Sequence, residues 1–189
     1  MTPPLLRTIP EQFETQRLLL RVPRAGDGPM VYAAVVESLA SLRRFPASLP
    51  WVMTEPSVDT SEAYCRLAAS SFIVRKDLPF LLIDKTTGML VGCASFHHID
   101  WNVPSMEIGY WCRDSQCRQG YITEAVSAMT HLAFTDLKAE RIQILTDEEN
   151  LASCRVCERA GFSLEGTLHH ERKAPDGTLR NTRVYARIA

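Results

Sequence analysis

The chain reads as one domain with a mixed α/β sheet, and three features of its sequence predict this. Between Met106 and Phe134 the apolar residues change period, from the continuous run Ile108 to Cys112 to Ile122, Ala125, Val126, Met129 and Ala133 at helical spacing. The runs Pro79 to Asp84 and Leu90 to Ile99 flank Lys85-Thr86-Thr87-Gly88, the signature of a hairpin. In full the elements read strand, two helices, three strands, helix, strand, helix, two strands, which is not the strict alternation of a parallel sheet.

Residues 1–12 contain Pro3, Pro4 and Pro10 and are expected to form a flexible arm, with the domain spanning 13–189. Phe13 to Val22 reads as the first strand. Asp27 is placed to cap a helix and Pro29 suits its first turn. Met30, Val31, Ala34, Val35, Leu39 and Leu42 carry the stripe of that helix to about Arg44. Phe45 to Ser57, with three prolines and Trp51, is expected to be a loop. A second helix should start near Asp59 or Ser61 and reach Lys76, with Tyr64, Leu67, Ala68 and Phe72 inward. Past the central stretch, Arg141 to Thr146 alternates as a strand. Asn150 to Ala160 reads as a short helix stopped by Gly161. Phe162 to Arg172 and Thr182 to Ile188 should pair around Pro175-Asp176-Gly177.

Composition excludes several classes. A length of 189 residues suits one well-cored domain, and 46% hydrophobic with 23% charged residues is ordinary for a soluble protein. A net charge of -1 argues against a nucleic-acid-binding surface. No apolar run approaches the ~20 residues needed to span a bilayer, so no membrane partner is expected. The N-terminus lacks the pattern of a secretion signal, and the six scattered cysteines fit a reducing, cytoplasmic setting. Cys112/Cys117 have the wrong spacing for zinc, and Cys154/Cys157 lie inside an expected helix, so no metal is expected. His97 and His98, adjacent on a strand, should project to opposite faces and not share an ion.

The loop between the central strand and helix carries the chemistry. It delivers unpaired backbone amides to a helix N-terminus, where the dipole favours an anion; Gly120 permits a tight backbone and Arg118 adds positive charge. Read locally, this is either an anion site or an ordinary strand–loop–helix connection relieved by a glycine.

Glu107-Ile108-Gly109-Tyr110-Trp111, Gly120 and Thr123-Glu124-Ala125 resemble the acetyl-coenzyme A pyrophosphate loop of GNAT N-acetyltransferases, in the branch of the ribosomal-protein-alanine N-acetyltransferases. A second cluster, Asn150 with Ser153, then Glu158-Arg159-Ala160-Gly161-Phe162 and Glu165-Gly166, is similar to another signature of that family, and Thr15-Gln16-Arg17-Leu18 to a common opening of the branch. Cys117, Arg118 and Ile122 depart from the pattern, standing where Arg or Gln, Gly and Ala are usual.

The resemblance covers the chain from about Phe13 to Ala189. It implies a mostly antiparallel mixed sheet flanked by about four helices, with central strands splayed to admit the pantetheine arm. It implies acetyl transfer from acetyl-coenzyme A to a primary amine, favouring an α-amine of a peptide or small molecule, by direct attack. The cofactor contacts implied are Tyr110, Trp111, Cys112, Cys117, Arg118, Gln119, Gly120, Tyr121, Ile122, Thr123, Asn150 and Ser153. Glu107 is the first candidate for the base, with Glu165 and Glu171 in reserve. The position of the family's tyrosine acid is Cys157, leaving Ser153 to stabilise the thiolate. Trp51, His169 and Arg172 would face the acceptor, and a homodimer is a possible assembly. Two other readings stand beside the enzyme: a coenzyme A-binding sensor or interaction module that has lost activity, and a different phosphate binder.

Overall fold

A computed structural model describes residues 3–189. Eight strands form one sheet: β1 (Gln12–Glu14), β2 (Leu18–Arg21), β3 (Leu78–Asp84), β4 (Leu90–Asp100), β5 (Ser105–Cys112), β6 (Arg141–Asp147), β7 (Ser163–Lys173) and β8 (Leu179–Ile188). Four helices flank it: α1 (Gly28–Leu42), α2 (Val58–Ile73), α3 (Tyr121–Thr135) and α4 (Leu151–Arg159). The strand order is β1-β2-β3-β4-β5-β6-β8-β7, antiparallel throughout except for β5 with β6. The predicted class is the one observed, and so is the order of elements once the first strand is counted as two. None of the described helices is long and apolar enough to cross a membrane.

Two apolar clusters hold the layers together. The larger joins Leu18, Leu20, Phe80, Phe96, Met106 and Ile108 of the sheet to Ile122, Ala125, Val126 and Met129 of α3 and Cys154 and Cys157 of α4. The smaller packs Val31, Ala34 and Val35 of α1 and Cys65 of α2 on Leu81, Leu90 and Cys93.

Four local expectations are corrected. The first strand is two strands turned back on each other, because Thr15 binds the Leu18 amide and carbonyl and closes a tight bend. Asp27 stands at the N-cap of α1 as expected, but its side chain makes no cap bond; its carboxylate grips Arg21 through two bonds of 2.6 and 2.7 Å and accepts from the Arg24 amide. In α2 Ala68 and Phe72 face inward as expected, but Ser61 and Cys65 complete the stripe in place of Tyr64 and Leu67, which are exposed. The expected flexible arm, where it is described, lies against the body: Ile9 is buried, Arg7 donates to the Leu137 carbonyl, and Arg75 donates to the Arg7 carbonyl. Met1 and Thr2 of that arm fall outside the described residues.

The feature that positions the site is where one ladder stops. β5 pairs with β6 only at Ser105, Met106 and Glu107, opposite Arg141, Ile142 and Gln143. Beyond that point β5 continues along β4 to Cys112, and β6 continues along β8 to Asp147. The two strands diverge and leave a gap.

Candidate active site

The gap has one wall on β5. Arg113 donates its amide to Val91 of β4, so the alternation of an antiparallel ladder places the amides of Trp111 and Gly109 toward β4 as well. The intervening amides of Tyr110 and Cys112 point away from β4, into the gap. The Cys112 amide therefore faces the gap, and the Trp111 amide does not. Successive side chains alternate too. Tyr110 packs with the α3–α4 cluster, and Trp111 packs with the α1–α2 cluster.

Tyr110 reaches across the gap to α4. Its hydroxyl lies 2.8 Å from Ser153 Oγ, donates to the Ser153 carbonyl at 3.3 Å and sits 3.7 Å from Cys157 Sγ. Burial raises the tyrosine pKa well above its ordinary value, so the group stays protonated. Asn150 caps α4, its Oδ1 accepting from the Ser153 amide at 3.2 Å, which fixes the serine at the helix start. Burial also pushes the Cys157 thiol up to about 12. A tyrosine hydroxyl therefore does stand beside Cys157, supplied by the opposite wall. No local pattern signals this contact, because Tyr110 and Ser153 are 43 positions apart.

At one end of the gap the chain turns through a short 3-10 turn (Asp114–Gln116) into α3. Gly120 sits at φ 83 and Arg118 at φ 63, both left-handed, and this bend leads the chain into the helix start. The amides from Arg118 to Thr123 make no hydrogen bond with the described chain, as the first turn of a helix requires. Ile122 is buried beneath them, which accounts for a large apolar side chain there. Tyr121 turns its side chain away to donate to Asp84 at 2.6 Å, leaving only its amide to the loop. Gln119 and Cys117 side chains bond back to Ser115 and Arg113 carbonyls. Arg17 staples this end. It donates to Gln119's carbonyl, pairs with Glu124 at 2.7 Å and lies over the Tyr121 ring. Glu124 in turn accepts from Thr15 and from the Arg17 amide. This clamp was missed because Arg17 and Glu124 are 107 positions apart.

At the other end lies Glu107, 7% exposed. Its carboxylate meets His97 Nε2 at 2.9 Å and His98 Nδ1 at 3.3 Å, and accepts from Gln143 Nε2 at 3.3 Å. Burial works to raise its pKa, but the hydrogen bonds and charge of His97, with His98 and Gln143, outweigh it; the net shift is downward. The two histidines do not project to opposite faces. His98 adopts φ 48, and the β4–β5 register slips between His97 and Asp100, so a bulge turns both rings onto one carboxylate. Gly109 leaves room for the His97 ring, since a Cβ there would meet His97 Cε1 and push that ring aside.

The acceptor candidates separate. Trp51, on a 3-10 turn (Pro50–Met53), lies 6.2 Å from Trp111 between ring centroids, and Arg172 reaches the same loop through Ser48 Oγ at 3.0 Å. His169 is exposed and joins none of these contacts. Of the reserve carboxylates, Glu165 is paired with Arg141 at 2.6 Å, and Glu171 with Arg172 at 2.9 Å and with Thr182.

A gap between splayed strands, an amide-lined helix start and a buried carboxylate describe a known architecture. The acetyltransferase (GNAT) domain profile matches residues 17–163. The chain belongs to the GNAT acetyltransferase family. Membership makes it an acyltransferase domain. It is 25% identical over 174 residues to the uncharacterized N-acetyltransferase YoaA of Bacillus subtilis (strain 168), covering 92% of this chain and 94% of that one. It is 34% identical over 99 residues to the ribosomal-protein-serine acetyltransferase of Escherichia coli (strain K12), covering 52% and 55%. The matched stretch thus spans about half the length of that relative, as it does of N-acetyltransferase p20 of Bacillus licheniformis, at 53%. Among solved structures, the microcin C7 self immunity acetyltransferase MccE, in complex with acetyl-CoA and AMP, shares the GNAT fold at a TM-score of 0.86 and 20% identity, covering 96% and 98%. RimL, a ribosomal L7/L12 alpha-N-protein acetyltransferase in complex with coenzyme A, aligns at a TM-score of 0.81 and 26% identity, covering 95% and 97%.

Proposed function

We propose that this GNAT domain transfers an acetyl group from acetyl-coenzyme A directly to a primary amine, with an α-amine preferred. The observation that carries the reading is the gap itself, with unpaired amides at one end and a buried carboxylate at the other. The amides of Arg118 to Thr123, with Arg118, would hold the pyrophosphate. The gap-facing amides of Tyr110 and Cys112 would hold the pantetheine and then the developing oxyanion. The loop departs from its family pattern at Cys117, Arg118 and Ile122, yet it keeps its amides free. Free amides serve coenzyme A binding in either reading; the buried Glu107 carboxylate at the far end of the gap is what favours the enzyme over a binding module that has lost activity.

In the reaction the amine nitrogen attacks the thioester carbonyl carbon, and its proton leaves through water toward Glu107. The tetrahedral intermediate then collapses with cleavage of the C–S bond. Ser153, hydrogen-bonded to the protonated Tyr110, is placed to donate to the departing thiolate. Glu107 is a weak base because its neighbours hold its pKa down. A weak base suits an amine that is already partly neutral. An α-amine has an unperturbed pKa of ~7.7–8.0 against ~10.4 for a lysine, so only the first is substantially neutral at pH 7. Trp51 and Arg172 would flank the acceptor, because Trp51 lies beside Trp111 of β5 and Arg172 bonds Ser48 of the same loop.

The test compares two matched peptides, one with a free N-terminus and blocked lysine, the other reversed, following thiol release. Faster turnover of the first is expected, and Trp51→Ala should raise the KM of that peptide more than the KM of acetyl-coenzyme A. A better rate with the lysine peptide refutes the acceptor assignment.

A further inference from the structure

We infer that His97, His98 and Glu107 form a binding site for a divalent transition metal, zinc in the first instance. One ring nitrogen each of His97 and His98 and one carboxylate oxygen of Glu107 lie within 4.8 Å of one another; His97 Nε2 is 2.9 Å from Oε1, and His98 Nδ1 is 3.3 Å from Oε2. Ligand bonds of about 2.0–2.2 Å to zinc put the donors of a tetrahedral site roughly 3.4 Å apart. The donors therefore need to move only by a fraction of an ångström to about one ångström. Two imidazoles and a carboxylate are a borderline donor set that suits zinc, cobalt and nickel rather than calcium or magnesium. His98 is 77% exposed at its side chain, so the fourth position opens to water, as in zinc sites that retain a free coordination place.

The backbone supports the same reading independently of the distances. His98 adopts φ 48 at the bulge that ends the regular β4–β5 pairing, and without that bulge the alternation would send its ring to the far face. The bulge, the left-handed residue and the bare Gly109 together bring both rings to one carboxylate, and no core packing requires it, because His98 faces solvent. Gln143 Nε2, 3.3 Å from Glu107 Oε2, supplies the outer hydrogen bond that orients a ligating carboxylate.

Binding at this cluster does not depend on the proposed reaction. Its consequence does: if Glu107 is the base, a metal on its oxygens removes the proton acceptor, and zinc becomes a reversible inhibitor. The experiment uses the full chain without a polyhistidine tail, stripped with chelator and then titrated with Co²⁺ and with Zn²⁺. One Co²⁺ per chain with a visible tetrahedral absorption is expected, displaced by one equivalent of Zn²⁺. His98→Ala and His97→Ala should each weaken zinc binding by at least about 10–100-fold, the loss expected for even an outer-sphere partner. A wild-type protein that takes up no stoichiometric metal, or variants that bind as tightly as the wild type, would overturn the site. Activity is read separately, before and after chelation. Stoichiometric binding that leaves acetyl transfer untouched would confirm the metal site and refute Glu107 as the base.

Discussion

The two ends of the gap are built from different material. The end at Arg118 to Thr123 is made of main chain: its donors are amides, present whatever side chain the position carries. The end at Glu107 is made of side chains, and each atom of it depends on residue identity and on a left-handed histidine. A main-chain site tolerates sequence drift, which is why Arg118 and Ile122 can replace the small residues usual in the family. A side-chain site fails on one substitution.

That contrast can be broken at its weak end first. Glu107→Gln keeps the shape but cannot take a proton, and kcat should fall by roughly 10²–10⁴-fold with little change in acetyl-coenzyme A affinity. Steady-state kinetics and calorimetry distinguish this from a binding defect. Gly120→Val attacks the main-chain end where it is vulnerable, since φ 83 excludes a β-branched residue. Misdirecting an amide that bonds a charged group costs about 1.5–3 kcal/mol, so coenzyme A affinity should weaken by roughly 10–150-fold. The same change should cost about 1–2 kcal/mol in folding stability, visible as a lower Tm. Ile122→Val, which leaves every amide in place, should leave affinity close to wild type.

Tyr110→Phe probes the strut between the walls. It removes the hydrogen bond to Ser153 and should lower stability by about 0.5–1.5 kcal/mol. We expect kcat to drop several-fold while the KM for acetyl-coenzyme A holds. An unchanged kcat would remove Tyr110 from the handling of the thiolate.

The smallest effect concerns acid. Hydrogen bonds from the Tyr121 hydroxyl and the Thr87 amide hold Asp84 down to about 2, and Arg113 with Ser115 does the same for Glu37. Both carboxyls have folded pKa values below their unfolded ones of ~3.9 and ~4.3. Their contribution is therefore complete above about pH 4.5 and is lost as the pH falls toward 2. Asp84→Asn should flatten that acid limb in a Tm-against-pH series without altering the neutral-pH optimum.

The fold was legible because its signals are local. The period change at Ile122, the hairpin at Lys85 to Gly88 and the stop at Gly161 each need only a few neighbouring residues. The helix start at Gly120 was legible for the same reason. What escaped was long-range. Arg17 finding Glu124, Tyr110 finding Ser153 and Asp27 turning to Arg21 instead of capping α1 are choices made by tertiary packing. The histidine pair escaped for a different reason: strict alternation is the right expectation for a regular strand, and the bulge at His98 breaks it. The α2 face was misread because Tyr64 and Leu67 share a helical stripe that the fold leaves partly or wholly outside, one step from the buried Cys65 and Ala68.

The short β5–β6 ladder also has a mechanical meaning. On the N-terminal side stand five strands in antiparallel succession, and on the C-terminal side three more with α4. Among the described residues, the strand pairing that joins them is confined to Ser105 through Glu107, with α3 bridging above. The molecule is in this sense two clamshell halves sewn by three stitches. A ligand lying between the halves adds the missing seam, so amides beside the gap should exchange with solvent more slowly once it is filled.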